Sequence, residues 1–129
     1  DAVRGVTKRI QSNENSAETT TSGVDSFDAD GFTVKEHAVD GSHTNDDGDT
    51  FVAWCWNAGS TASGTTTGSG TGKAYSAVYN TDAGFSMVTY LGNDTAGHTI
   101  PHHLGVVPKM MIIKKRNINA RQMDMGLKI

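Results

Sequence analysis

The chain has 129 residues, of which 36% are hydrophobic and 7% aromatic, and its net charge is -3. This length allows one ordinary domain with a moderate core. No apolar run approaches the roughly 20 residues that a membrane-spanning helix needs, and a single cysteine excludes an intrachain disulfide. The first residue is not Met, which suggests that Asp1 lies inside a longer open reading frame.

The charge is unevenly distributed along the chain. Residues 1–52 carry 11 acidic and 4 basic side chains, whereas residues 109–129 carry 6 basic and 1 acidic. A basic end can bind nucleic acid, but single-strand binding also needs interleaved aromatic residues, and none accompany these. The pattern therefore favours a solvated strand end, and we expect no nucleic-acid partner and no membrane insertion.

The first half of the chain predicts strands joined by polar turns. A short apolar alternation predicts a strand near Val3–Ile10, and a turn at Asp30–Gly31 is followed by an alternating strand at Phe32–Val34. The segment "TFVAWCW" at Thr50–Trp56 carries bulky side chains on both faces of an extended chain. It predicts a central strand in which both tryptophans are core residues and the apolar setting of Cys55 keeps the thiol unreactive.

The second half begins with a low-complexity segment. Residues Ala58–Lys73 consist almost entirely of Gly, Ser and Thr, a composition typical of a flexible linker. Alternation at Phe85–Tyr90 and the β-rich run Met110–Ile113 then predict further strands. No segment has a sustained helical period, so the sequence predicts an all-β protein with many short strands.

Candidate sites for chemistry are weak. The acidic turns at Asp28–Gly31 and Asn45–Asp49 resemble calcium loops but lack the full ligand spacing, so ordinary turns are the preferred interpretation. His102 and His103 would point to opposite faces of a strand, which disfavours a metal site together with His98. There is no nucleophile elbow and no distinctive pair of carboxylates. We expect no catalytic residues, no metal and no cofactor.

Several aromatic residues could offer flat faces to a sugar, although aromatic side chains more often pack in a core. They are Trp54, Trp56, Tyr75, Tyr79 and Tyr90, and all except Tyr79 are taken as candidates for contact with a ligand.

Several motifs in order resemble a known family. "SFDADGFTV", "GDTFVAWCWNAG" and "NTDAGFSMVTYLGNDTAGHTIPHHLGVVPKMMIIKKR" are similar to the repeated units of tail-fibre and other virion structural proteins of tailed phages, especially marine phages and their metagenomic relatives. The resemblance runs from Asp1 to about Arg116. It implies antiparallel β-sandwich modules of lectin-like, jelly-roll or immunoglobulin-like type.

The resemblance also implies module boundaries. Residues 1–59 match the closing half of one module, residues 60–82 a linker and lead-in, and residues 83–129 the opening strands of a second module. From about residue 117 the chain departs from the family pattern, because the aromatic strand that usually follows is missing. A partial module exposes apolar surface and strand edges, so we expect pairing with another chain.

The function that the resemblance implies is a non-catalytic structural module of a tail fibre or spike that presents or spaces a host-receptor-binding surface. Expected partners are copies of itself, with a homotrimer favoured, other virion proteins, and a host surface glycan or protein. The expected location is the virion, outside the cell when functioning. Two alternatives are an autonomous carbohydrate-binding, lectin-like protein and a cell-surface adhesin. A polysaccharide-degrading enzyme is a third and weaker alternative.

Overall fold

The computed structural model describes residues 3–11, 14–21, 23–35, 43–117 and 127–128. These residues contain β-strands and no helix, so none of them forms a helix that could span a membrane. The strands are β1 (Lys8–Arg9), β2 (Thr19–Thr20), β3 (Val24–Asp28), β4 (Gly31–Val34), β5 (Ser60–Thr65), β6 (Thr67–Gly68), β7 (Ala74–Asn80), β8 (Phe85–Tyr90), β9 (His98–Thr99), β10 (Met111–Ile112) and β11 (Leu127–Lys128).

The chain divides into two compact units. The first unit comprises residues 1–53 and 109–129, and the second unit comprises residues 54–108. The predicted division into residues 1–59, 60–82 and 83–129 stays a prediction about module boundaries, because contacts within this chain group the residues differently.

The first unit contains three antiparallel strand pairs, β1–β2, β3–β4 and β10–β11. In the β3–β4 hairpin, Phe27 lies opposite Phe32 and Asp28 lies opposite Gly31, which leaves a two-residue turn. The predicted turn and the strand that follows it are therefore confirmed. The strand predicted near Val3–Ile10 is reduced to Lys8–Arg9, and the one at Met110–Ile113 is reduced to Met111–Ile112.

The second unit is built around β7, which pairs antiparallel with β5 on one side and β8 on the other. The loop between β7 and β8 is closed by the Asn80 side chain, whose Oδ1 accepts a hydrogen bond from the Ala83 amide at 2.9 Å. Ala77 and Val78 are 2% and 6% exposed, so the core of this unit lies on its central strand. A second small ladder joins β6 to β9.

The segment predicted as a flexible linker is structured. Residues Ser60–Thr65 form β5, which pairs with β7 along its full length. In the turn that follows, Asn93 Nδ2 donates hydrogen bonds to the carbonyls of Ser69 and Thr71, both at 3.0 Å. The prediction was wrong because composition measures apolar content, whereas this edge strand is held mainly through its backbone, which every residue type carries.

The segment predicted as a central strand is not a strand. Residues Phe51–Asn57 have no ladder partner in the part of the chain that the structure describes, and they are exposed. Trp54 is 73% and Trp56 63% exposed, and Cys55 is also exposed. A strand that is apolar on both faces needs covering layers on both sides, and these side chains have no such cover. The core assignment of the two tryptophans was therefore wrong.

The predicted fold class is confirmed at the level of architecture. All described secondary structure is β, the sheets are antiparallel, and the arrangement is consistent with a β-sandwich. The strand predicted from the side-chain alternation at Phe85–Tyr90 is confirmed, because these residues form β8.

Candidate functional site

An exposed indole is held against the sheet of the second unit. The rings of Trp56 and Phe85 lie 5.5 Å apart with an interplanar angle of 9°, a parallel stack. Phe85 begins β8, opposite Asn80, so the turn between β7 and β8 fixes its position. Because one face of the indole packs on Phe85 while the side chain stays 63% exposed, Trp56 offers an oriented flat surface to solvent.

The other predicted sugar-contacting residues lie elsewhere. Tyr75 and Tyr90 are opposite each other at the far end of the β7–β8 pair. Phe85 and Tyr90 are five residues apart on one strand, so they face opposite sides of the sheet and are separated by about 17 Å along it. The structure therefore does not bring Trp56 together with Tyr75 and Tyr90. Trp54, the remaining candidate, is 73% exposed, compared with 63% for Trp56.

Tyr75 instead belongs to a cluster around a histidine. The imidazole of His103 stacks on Tyr75 at 5.7 Å and on Tyr79 at 5.1 Å. The two tyrosines lie four residues apart on the same face of β7, so the imidazole sits between them, above the small side chain of Ala77. His103 has a φ of 60°, a left-handed conformation that costs energy for a non-glycine residue.

Sequence reasoning missed this cluster. Adjacent histidines were read as residues of a regular strand, whereas His102 and His103 lie in a loop after β9. The pattern Tyr-x-Ala-x-Tyr on one face of a strand, with a small residue between two large ones, is the sequence feature that could have indicated a side chain inserted from elsewhere. The cluster packs the loop onto the sheet.

A second histidine supports the glycine-rich turn. Thr66 is 3% exposed, and its Oγ1 lies 2.5 Å from His98 Nε2 while accepting a hydrogen bond from the Lys73 amide at 2.8 Å. The hydroxyl can donate its proton to a neutral imidazole and accept from the amide at the same time. His98 is thus a structural partner of the turn.

The acidic turns also have structural roles. Asp28–Gly31 is the end of the β3–β4 hairpin, and Asp28 Oδ2 accepts a hydrogen bond from Thr33 Oγ1 at 2.9 Å. In the second turn, His43 Nδ1 lies 2.7 Å from Asp46 Oδ2. Within the described ranges, no three His, Cys, Asp or Glu residues converge in a way that could hold a metal ion. His37 lies outside the described residues.

The basic run Lys114–Arg116 is partly occupied within its own unit. Arg116 donates two hydrogen bonds to the carboxylate of Glu18, and Lys114 Nζ donates to the carbonyl of Glu14. Hydrogen bonds from Arg116 lower the pKa of Glu18 to about 2, against the opposing effect of burial and with help from Arg4. Arg116 is thus paired with a carboxylate, whereas Lys114 contacts a backbone carbonyl and Lys115 is exposed.

Comparison with known proteins places the chain in one family. A family model described as a domain of unknown function, DUF7483, matches residues 1–127. No curated protein and no solved structure is detectably similar to the chain. The chain belongs to the DUF7483 family.

Proposed function

We propose that this member of the family is a non-catalytic module of a phage tail fibre or spike, and that its second unit contacts a carbohydrate on the host surface through Trp56. The virion role is supported by the resemblance of the chained motifs to tail-fibre units. The contact with carbohydrate is supported by the geometry of one aromatic pair.

The observation that carries the proposal is the stack of Trp56 on Phe85. A sugar ring presents a face of C–H groups that packs on an aromatic ring, and the ring binds best when its orientation is set beforehand. Phe85 provides that orientation at 5.5 Å and 9°. Because the side chain is 63% exposed, the indole face that does not pack on Phe85 is left available to such a sugar ring.

Weak contacts of this kind suit a fibre. A single stacked sugar gives modest affinity, but several copies on one virion engage a host surface together, and the combined binding is much stronger than each contact. The module therefore needs no deep pocket to contribute to attachment.

The test uses fluorescence, because the chain has only two tryptophans. Trp54→Phe leaves Trp56 as the only indole, and Trp56→Phe leaves Trp54 as the matched control. Host-surface polysaccharides are titrated into both full-length variants. We expect the emission of the Trp54→Phe variant to shift with saturation, and that of the Trp56→Phe variant to remain unchanged.

Adsorption competition connects this contact to function. The purified chain is added to a candidate host before the matching phage, and the same is done with Trp56→Ala and with Leu91→Ala, which removes another exposed side chain of the second unit. We expect the chain and Leu91→Ala to block adsorption and Trp56→Ala to be at least about tenfold weaker. A folded chain that neither shifts nor competes would overturn the carbohydrate contact and favour a spacer role.

One observation also favours a second candidate, an autonomous carbohydrate-binding protein. The Trp56 surface is contained in the second unit and does not depend on any virion protein. Sugar-dependent emission without any effect on phage adsorption would favour this alternative.

A further inference from the structure

We propose that the first unit carries two complementary surfaces through which copies of this chain associate head to tail. One surface is the hairpin tip, defined as Phe27–Phe32. The other is the basic segment, defined as Lys109–Lys115. The proposal concerns a different unit from the carbohydrate contact and holds independently of the proposed function.

The hairpin tip exposes an aromatic pair. Phe27 and Phe32 are directly opposite each other in the β3–β4 ladder, so they share one face of the hairpin. They remain 53% and 41% exposed. Two phenyl rings side by side at the end of a two-residue turn form a compact projecting apolar surface, which is unusual on a surface that only meets water.

The hairpin tip is also negatively charged. Asp28 and Asp30 are exposed beside the aromatic pair. Neither forms an ion pair with any described residue, although Asp28 accepts a hydrogen bond from Thr33. Asp25, at the base of the hairpin, differs because it pairs with Lys35 at 3.1 Å. The tip therefore requires a partner surface that is apolar at its centre and basic at its rim.

The basic segment has that combination. Its four consecutive apolar side chains are between 40% and 69% exposed, namely Met110, Met111, Ile112 and Ile113. Because Met111 and Ile112 form β10, their side chains point to opposite faces, so the segment offers an exposed apolar side chain on either face. Lys109 and Lys115 flank them, are exposed, and have no ion-pair partner within the described residues. Lys114 differs because its Nζ is bound to the Glu14 carbonyl. Methionine adapts its shape to an inserted ring, and the charge of the two lysines is opposite to that of the two aspartates at the hairpin tip.

These two surfaces are different patches of the same chain, so the contact between copies is heterologous. The hairpin tip of one copy meets the basic segment of the next, so two associated copies still have one free tip and one free segment. Further copies then close a ring or extend a chain. The partner of the hairpin tip is a second copy of this chain, because the negative charge of the tip is complementary to the positive charge of the basic segment, which every copy carries.

The test uses two variants of the full chain. Phe27→Ser with Phe32→Ser removes the apolar tip and keeps the basic segment, whereas Lys109→Glu with Lys115→Glu reverses the rim charge and keeps the tip. Leu91→Ser, which changes another exposed apolar residue, is the control. Sedimentation velocity over a wide concentration series measures association, and far-UV circular dichroism confirms folding.

The expected result is specific to a head-to-tail contact. The wild-type chain and Leu91→Ser associate with concentration, and each double variant alone sediments as a monomer. When the two double variants are mixed, the intact tip of one binds the intact segment of the other. The mixture forms a one-to-one complex and nothing larger, because the second pair of surfaces is defective on both members.

Three results would overturn the proposal. They are a wild-type chain that remains monomeric at every concentration, a double variant that associates as the wild type does, and a mixture that contains only monomers. The first would assign the hairpin tip to a partner other than a second copy. The second would move the interface to another surface.

Discussion

Glu18 accepts two hydrogen bonds from the guanidinium of Arg116, at 2.8 and 3.1 Å, across 98 residues of sequence. Arg4 donates to the same carboxylate, and the Glu18 amide donates to the Arg116 carbonyl. The Glu18 carboxylate is only 12% exposed. This group therefore joins three distant segments of the first unit at one nearly buried charge.

The ion pairs of Glu18 predict a pH dependence. Because its pKa falls from 4.5 to about 2, the stabilisation is fully present above pH 4.5 and is lost as the pH falls toward 2. Glu18→Gln should reduce the free energy of unfolding by about 2 kcal/mol at neutral pH. As the pH falls toward 2 the difference between the variant and the wild type should shrink, and it should vanish only at a pH below 2, where Glu18 is protonated in the folded state as well.

Chemical denaturation followed by circular dichroism at several pH values measures this difference. Glu14→Gln is the control, because Glu14 is exposed and its contact with Lys114 uses the backbone carbonyl. A Glu18→Gln effect that is the same at pH 7 and pH 2 would contradict the assigned cause.

The glycine-rich turn gives a second prediction. A Cβ at Gly72 would lie 2.6 Å from Thr65 Cγ2 and 2.7 Å from the Thr66 carbonyl oxygen, whereas a Cβ at Gly92 would meet nothing within 4 Å. Gly72→Ala should therefore destabilise the second unit by about 1–3 kcal/mol. Gly92→Ala should be neutral or stabilising by up to about 1 kcal/mol.

Urea denaturation followed by tryptophan fluorescence measures both variants, because both tryptophans lie in the second unit. If the segment were a flexible linker, the two substitutions would have the same small effect.

The position of His103 gives a third prediction. Ala77 is 2% exposed and leaves room for the imidazole between Tyr75 and Tyr79. Ala77→Leu should displace the ring and cost about 1–3 kcal/mol through overpacking. Ala74→Leu, at an exposed position of the same strand, should have little effect. Thermal unfolding of the two variants compares them directly, and equal melting temperatures would mean that the space above Ala77 is not filled.

Cys55 gives a fourth prediction. The thiol is exposed rather than enclosed between two core tryptophans. A maleimide should therefore label it in the folded chain at a rate close to that in urea. If Cys55 were labelled only after unfolding, the thiol would be buried, as the sequence predicted. Cys55→Ser provides the blank for the assay.

Much of the fold could be predicted because its cause is local. The alternation at Phe85–Tyr90 and the turn at Asp30–Gly31 report directly on strand and hairpin geometry, and both are present. The absence of a helical period correctly predicted that the described residues contain β-strands and no helix. For the candidate site, the choice of Trp56 as a sugar-contacting residue stays a prediction, and the stack of Trp56 on Phe85 was not predicted, because it depends on residues that are distant in the chain.

By itself the sequence determined the class of structure and the side-chain types that are available for binding. Both follow from the period of apolar residues, the turn residues and the side chains themselves, which are local properties of the chain. Only the tertiary structure decided which strands pair. Pairing with β7 makes part of the Gly/Ser/Thr segment the strand β5, and Trp54 and Trp56 remain exposed. Backbone hydrogen bonding is available to every residue type, so composition cannot report it. Whether an apolar side chain is buried depends on cover from residues that are distant in the chain.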